Sequence, residues 1–404
     1  MLSEDLHIRN EAPDFATIAA QASAIRWMER AMLVFCLDRR DGVEGILSRV
    51  VASVYAVVNL GFIGVNLADL VASDPNWTLR VVFATWGMYC SGIVLVHAWI
   101  LSPHWFRHLV VNLTVSSWEL VEIEDNEGGE GVVGVPDELP RVRGEDVVST
   151  QSVCTFNTWA GYGLLLSVIV AVSNAALGAA LFVDMGLISD VYRDLPAAMG
   201  ESLGVKTLFL VVYICSSIVW VTPIPPMAIA MYLMHKQFLW LTDKVKRRRV
   251  VDAGIVSRLH KVIHRRTVFF SAFAQWPLAL TFVLHAGLAV FLSYRLVLVQ
   301  VSAGLLVVQI GWLVSGAGLV LLLAFLGAFI HSSGKDAVVF ALADSRVESE
   351  QDRDKLSFAL STIDRRDAGF RLFNTLSITF ASIAKIISAY ATLLTVLYNI
   401  RERP

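Results

Sequence analysis

Seven long apolar runs constrain this chain more than any other feature of its sequence. They fall at 48–73, 81–102, 154–183, 205–234, 267–294, 300–330 and 372–399. A helix crosses a bilayer with about 20 mostly apolar residues, whereas a barrel strand needs only about 9–11. Lipid offers no partner to backbone N–H and C=O groups, so only helices and closed barrels can cross it. The runs are too long and continuous for strands, so the expected fold is all-α: a membrane bundle of seven transmembrane helices. The composition agrees, with 56% hydrophobic and 17% charged residues, against about 45–50% and about 25% in soluble domains. An ordinary soluble enzyme, a disordered chain and a secreted disulfide scaffold are excluded. The net charge of −2 gives no reason to expect nucleic acid as a partner.

Orientation follows from the basic residues, which favour the cytoplasmic side. Of 33 Lys and Arg, 26 lie in the N-terminal segment and the loops after helices two, four and six. Six lie on the other side, and Lys385 is inside the last run. The N-terminus is expected in the cytoplasm and the C-terminus outside, in a multi-pass plasma-membrane protein. This is opposite to a G-protein-coupled receptor. The Asp-Arg-Tyr and Asn-Pro-x-x-Tyr motifs of that class are also missing, and the Asp-Arg-Arg triplets at 38–40 and 364–366 stand elsewhere.

Four regions are expected: a cytoplasmic segment at 1–47, helices one to six with their loops at 48–334, cytoplasmic anchor helices at 335–371, and helix seven with a short tail at 372–404. Acidic residues at Glu4, Asp5, Glu11 and Asp14 argue against a cleaved secretory signal. In the first region Phe15, Ile18, Ala22, Ile25, Met32 and Phe35 recur at helical spacing, the pattern of an amphipathic helix on the membrane or the bundle. The stretch 124–149 is Gly-, Glu- and Pro-rich and is expected to be a mobile loop. Ile255, Leu259, Val262 and Ile263, and later Leu356, Leu360, Ile363 and Phe370, form apolar stripes outside the lipid. Such stripes need cover, either from the same chain or from a neighbouring subunit.

Within the runs, Tyr55, Asn59, Phe62, Asn66 and Asp69 share one helical face. They bond to other helices or line an aqueous pocket. Pro223, Pro225 and Pro226 are expected to bend helix four. Gly304, Gly311 and Gly318 are expected to give helix six a smooth contact face. Cys36, Cys90, Cys154 and Cys215 read as small buried thiols. Asn76-Trp77-Thr78 and Asn112-Leu113-Thr114 are glycosylation sequons. The outer halves of helices two to six carry Trp86, Tyr89, Asn174, Tyr213, His285, Gln309 and Trp312. Aromatic and apolar walls with a few polar groups suit a small-molecule ligand. No paired carboxylates, His-Glu-x-x-His, Gly-x-Ser-x-Gly or phosphate-cradling glycine loop is present. Neither an enzyme nor a bound metal or cofactor is expected.

From Gly369 the chain reads Gly-Phe-Arg-Leu-Phe-Asn-Thr-Leu-Ser-Ile-Thr-Phe-Ala-Ser, and from Ser388 it reads Ser-Ala-Tyr-Ala-Thr-Leu-Leu-Thr-Val-Leu. With the seven runs and their orientation, this resembles the insect chemoreceptor superfamily, the gustatory and odorant receptors. Gly369, Phe373, Phe380, Tyr390, Leu394 and Leu397 stand at family-like spacing. Ala389 and Val396 replace the Thr and Gln of the family's closing motif, as in a divergent gustatory-receptor-like member. The resemblance implies a ligand-gated, poorly selective cation channel, a homotetramer or a heterotetramer with related subunits, set in membrane lipid. Helix seven would line the pore. Tyr390 is the motif tyrosine, and the gate maps to Leu393 and Leu397, which share a face and could close a pore by dewetting. Lys385 facing such a conduit would repel cations. A photoreceptor or other non-channel receptor on the same fold, or a transporter, remains the alternative.

Overall fold

In a computed structural model, the structure describes residues 23–35, 37–38, 42–71, 77–101, 105–110, 144–182, 203–247, 253–299, 303–345, 350–365, 369–372 and 376–401. Phe15, Ile18, Ala22, Cys36, Asn76 and Asn112 lie outside these residues, as do the side chains of Asn66 and Asp69. The helices are α1 (Ser23–Val34), α2 (Gly42–Val71), α3 (Trp77–Leu95), α4 (Gly144–Phe182), α5 (Leu203–Val221), α6 (Ile224–Arg247), α7 (Ala253–Leu298), α8 (Ala303–Ser332), α9 (Val338–Ala343), α10 (Glu350–Arg365) and α11 (Phe380–Arg401). Among the described residues, seven stretches are long and apolar enough to cross a membrane, matching the seven runs. They lie in α2, α3, α4, α5 with α6, α7, α8 with α9, and α11. The chain is a nearly all-helical, multi-pass membrane protein.

Several local features follow from particular residues. The fourth crossing breaks at Thr222–Pro223, because proline cannot continue the helical hydrogen-bond ladder. Pro225 and Pro226 then fall in the first turn of α6, where missing N–H groups cost little. The stretch 144–149, expected to be loop, is instead the start of α4. The 372–399 run does not begin as helix. Arg371–Leu372 and Leu376–Ser377 pair antiparallel, and α11 starts only at Phe380. Thr379 caps it: the Ser382 N–H donates to Thr379 Oγ1 at 3.1 Å, and the Thr379 N–H donates to Ser382 Oγ at 2.7 Å. This is the reciprocal capping pattern, with serine at the third helical position.

At 46 residues, α7 is about 69 Å long, more than twice the hydrocarbon core. Its N-terminal half therefore lies beyond the lipid. There Leu259 and Ile263 are buried, as are Ile363 of α10 and Phe370. The Phe370 ring meets Phe270 edge-on at 5.3 Å. The apolar stripes outside the lipid are thus covered within the chain. A π turn at Ser333–Ala337 continues α8 into α9. Two histidines hold it, with His260 Nε2 2.7 Å from the Gly334 carbonyl and His235 Nδ1 3.0 Å from Ser333 Oγ. Lys335 pairs with Asp364 at 3.1 Å, tying the turn to α10.

Helix α1 lies against the bundle. Ile25, Met28 and Met32 are buried, the Ala24 N–H donates to Asn157 Oδ1, and Glu29 pairs with Arg107 at 2.6 Å. Of the expected glycine face of α8, Gly311 and Gly318 lie open within the described residues, a Cβ at either meeting nothing within 4 Å, and the surroundings of Gly304 lie outside them. The close approaches occur elsewhere. At Gly327 a Cβ would come within 3.0 Å of Ile378, and at Gly163 within 2.7 Å of Pro225. Of the cysteines, Cys90 is buried, Cys215 is half-buried and Cys154 is exposed. The thiol reading therefore holds only in part.

Candidate ligand-binding site

Five helices enclose a cavity. Val82, Phe83 and Trp86 of α3, Asn174 of α4, and Tyr213 and Trp220 of α5 form one part of its wall. His285, Leu288, Ala289 and Leu292 of α7, and Trp312, Leu313, Gly316 and Ala317 of α8, form the rest. Including its mouth the cavity measures about 470 Å³, of which about 40 Å³ is open to the centre of a water-sized sphere. Roughly 10–15 Å³ of such space holds one water, so the cavity now has free room for only about three waters. Gly316 keeps room at His285, whose Cδ2 would lie 3.5 Å from an added Cβ.

The polar groups of the wall are bonded to one another. Asn174 Oδ1 accepts from the Tyr213 hydroxyl at 3.0 Å and from Trp312 Nε1 at 2.8 Å, and its Nδ2 donates to Ser217 at 2.7 Å. Trp220 Nε1 donates to His285 Nε2 at 2.6 Å. The proton of the neutral ring is therefore on Nδ1, 2.9 Å from the Thr281 carbonyl. Such satisfied networks hold side chains in one arrangement. Among the described residues, no Asp, Glu, Lys or Arg lines the cavity.

Trp86, Asn174, Tyr213, His285 and Trp312, all expected from the sequence, meet here. Tyr89 does not line the cavity. It lies behind the wall, fully buried, with its ring edge-on to His285 at 4.5 Å and its hydroxyl 3.4 Å from both Thr281 Oγ1 and the Trp220 carbonyl. Gln309 is also off the lining. It is fully buried one helical turn from Trp312, and neither amide atom has a hydrogen-bond partner among the described residues. Phe83, Trp220, Leu288, Leu292 and Gly316 were not foreseen. Of these Phe83 and Trp220, aromatics in the same apolar runs as Trp86 and Tyr213, carried a signal. The polar face of α2 bonds to α5, with the Tyr55 hydroxyl 2.6 Å from Ser216 Oγ and Asn59 Oδ1 at 3.5 Å from the same atom.

The last helix touches this site from behind. The Tyr390 hydroxyl bonds to the Ser293 hydroxyl and donates to the carbonyl of Ala289, a wall residue, at 3.4 Å. Ile383 and Leu397 are buried on the same side, and Leu393 and Leu394 are half-buried. The structure thus places Tyr390 and Leu397 against the chain's own bundle, with Leu393 at the margin of that face. Lys385, Ser388, Thr392, Thr395 and Asn399 are exposed.

No family-level sequence profile matches the chain, and no curated protein matches it by sequence. Its backbone is similar to that of the insect olfactory receptor OR5 from Machilis hrabei in complex with eugenol, with a TM-score of 0.60 at 11% identity, over 96% of this chain and 100% of that one. A second structure of the same receptor gives a TM-score of 0.59 at 12% identity with the same coverage. Seven crossings, the long α7 and the hairpin before α11 therefore form the fold of an insect olfactory receptor.

Proposed function

We propose that the chain is a chemosensory receptor of the insect chemoreceptor superfamily that acts as a ligand-gated ion channel in the plasma membrane. Its N-terminus is cytoplasmic, as the distribution of Lys and Arg favours. Four subunits, identical or related, gather their copies of α11 around a conduit. The ligand is a small neutral molecule with an apolar or aromatic body. The cavity supports this because its walls are aromatic and aliphatic and their polar groups are already paired. A carboxylate or ammonium group entering there would lose its hydration without gaining a partner. The OR5 structure with eugenol is a complex of the same kind.

One observation carries the receptor reading: the wall of the cavity is bonded to the last helix. Ala289 lines the cavity and its carbonyl accepts from Tyr390. A ligand larger than the present free space widens the cavity at α7, and the Tyr390 contact passes that displacement to α11. Ligand then favours the open state by its differential affinity for the widened cavity. A non-channel receptor or a transporter leaves the polar outward face of α11 without a role.

Whole-cell recording from cells expressing the chain alone tests this, with eugenol and other small neutral aromatics as probes. Current on application, lost in Gly316→Leu with surface expression retained, supports the reading. Surface-expressed protein that gives no current with any probe contradicts it.

A further inference from the structure

A cation drawn partly out of water needs an anion beside it, and one arginine of the first crossing has none among the described residues. Arg49 stands on α2, within the crossing Gly42–Gly64. It is half-buried, and its Nε is sealed from solvent without a hydrogen-bond partner. It forms no ion pair with any described residue. What holds it is the ring of Trp99, whose centre lies 5.2 Å from the guanidinium carbon. A ring face attracts the charge but supplies no oxygen to the five N–H donors of the group.

This pair joins two helices. Basic side chains lie over aromatic rings at three other described places, Arg30 on Trp27, Lys236 on Tyr232 and Lys244 on Trp240. Each of those pairs stands three or four residues apart on one helix, the spacing at which helical side chains meet in any case. Arg49 and Trp99 come instead from α2 and from the π turn Val96–Ile100 that follows α3. They lie at one end of the bundle, where the first crossing begins and the second, Arg80–Ile100, ends. That is headgroup depth, where tryptophan concentrates. Beside the cation, Ile46, Val50, Trp99 and Ile100 are exposed.

Acyl chains suit such an apolar wall, and a phosphate suits the guanidinium fork, which can take two phosphate oxygens at once. A zwitterionic headgroup carries an ammonium that competes with the arginine for its own phosphate, whereas phosphatidylglycerol carries none. The distribution of Lys and Arg puts this end of the bundle in the cytoplasm, on the side of the anionic leaflet.

We propose that Arg49 and Trp99 form a binding site for an anionic phospholipid of the cytoplasmic leaflet, with its phosphate on Arg49 and its chains along α2. Trp99 is a positioning residue that holds the guanidinium. The site lies apart from the cavity and does not depend on the channel reading.

The test is native mass spectrometry of the full chain released from nanodiscs of equal phosphatidylglycerol and phosphatidylcholine. Phosphatidylglycerol is retained in preference, and the fraction of chains carrying it falls roughly tenfold in Arg49→Gln, the loss of one charge-assisted contact. Trp99→Leu, at an exposed position, also lowers it, while Arg30→Gln, at the exposed pair on α1, does not. Equal retention of the two lipids overturns the proposal, as does native-like retention of phosphatidylglycerol in Arg49→Gln or in Trp99→Leu.

A nitroxide at Ile100→Cys, in a Cys36→Ser, Cys154→Ser, Cys215→Ala background, reports what covers the wall. Lipid cover gives faster relaxation by oxygen than by a water-soluble nickel chelate. Faster relaxation by the chelate, or shielding from both as under a second copy of the chain, overturns the site.

Discussion

The second and seventh crossings have nearly the same mean hydropathy, 1.6 and 1.7, yet 72% of one and 11% of the other is buried within the subunit. In α3 the polar side chains turn inward. Thr85, Tyr89 and Ser91 are buried, as is His97 in the π turn that follows, whose Nδ1 lies 2.7 Å from the Ile93 carbonyl. In α11 they turn outward, from Lys385 to Asn399. Mean hydropathy therefore says that a helix crosses but not what covers it. The side on which its few polar residues lie does say, because those residues avoid lipid. For α3 the cover is this chain. Most of α11 has no cover within this chain.

Substitutions along this contrast should differ in size and kind. The largest effect is expected at Trp220→Ala, beside α3 in the buried half. It removes a side chain that is 4% exposed and bonded to His285, at a cost of about 3–5 kcal/mol, and thermal unfolding in nanodiscs would show the drop. A shift of under about 1 kcal/mol would mean the cavity wall is not packed as described. Next is Asn174→Leu, which removes the oxygen that accepts from the Tyr213 hydroxyl and the Trp312 N–H. About 1–3 kcal/mol should be lost, together with ligand-evoked current. Stability lost with an unchanged dose response would separate the network from the ligand site. Tyr390→Phe removes the bonds to Ser293 and Ala289 and should cost about 0.5–1.5 kcal/mol. Its mark is functional: eugenol binding is retained and evoked current falls. Equal loss of binding and current would break the proposed coupling. The smallest stability effect is at Thr392→Val, on the exposed face, within about 0.5 kcal/mol. A larger loss would mean that this face is covered within the subunit.

Much of this architecture was legible in the sequence, for identifiable reasons. Apolar runs announce membrane crossings because the bilayer sets their length. Trp86, Asn174, Tyr213, His285 and Trp312 stood out as aromatic or polar residues in apolar runs, and the fold brings them together. Leu288, Leu292 and Gly316 of the same wall look like any other residue of a crossing. Tyr89 had the same signal as Tyr213 but spends its hydroxyl behind the wall. The hairpin before α11 was hidden because Leu372, Phe373, Leu376 and Ile378 continue the apolar run, and only the pair Thr379 and Ser382 marks the true start of the helix.

The orientation of α11 was the least legible feature. Spacing alone cannot choose between faces when each carries a repeat, Leu393 with Leu397 on one side and Ser388 with Thr392 on another. Packing chooses, through Ile383, Tyr390 and Leu397 against α7 and α8. The Lys385–Asn399 side then remains outside the subunit. The expected glycine face of α8 shows a related point. Gly311 and Gly318 lie open, while Gly327, outside the seven-residue repeat, takes the close contact with Ile378.

A particle image of the full-length protein in lipid nanodiscs tests the central claim most directly. The account predicts four copies around one axis, with α11 innermost. A single copy with α11 at its lipid-facing edge would contradict it.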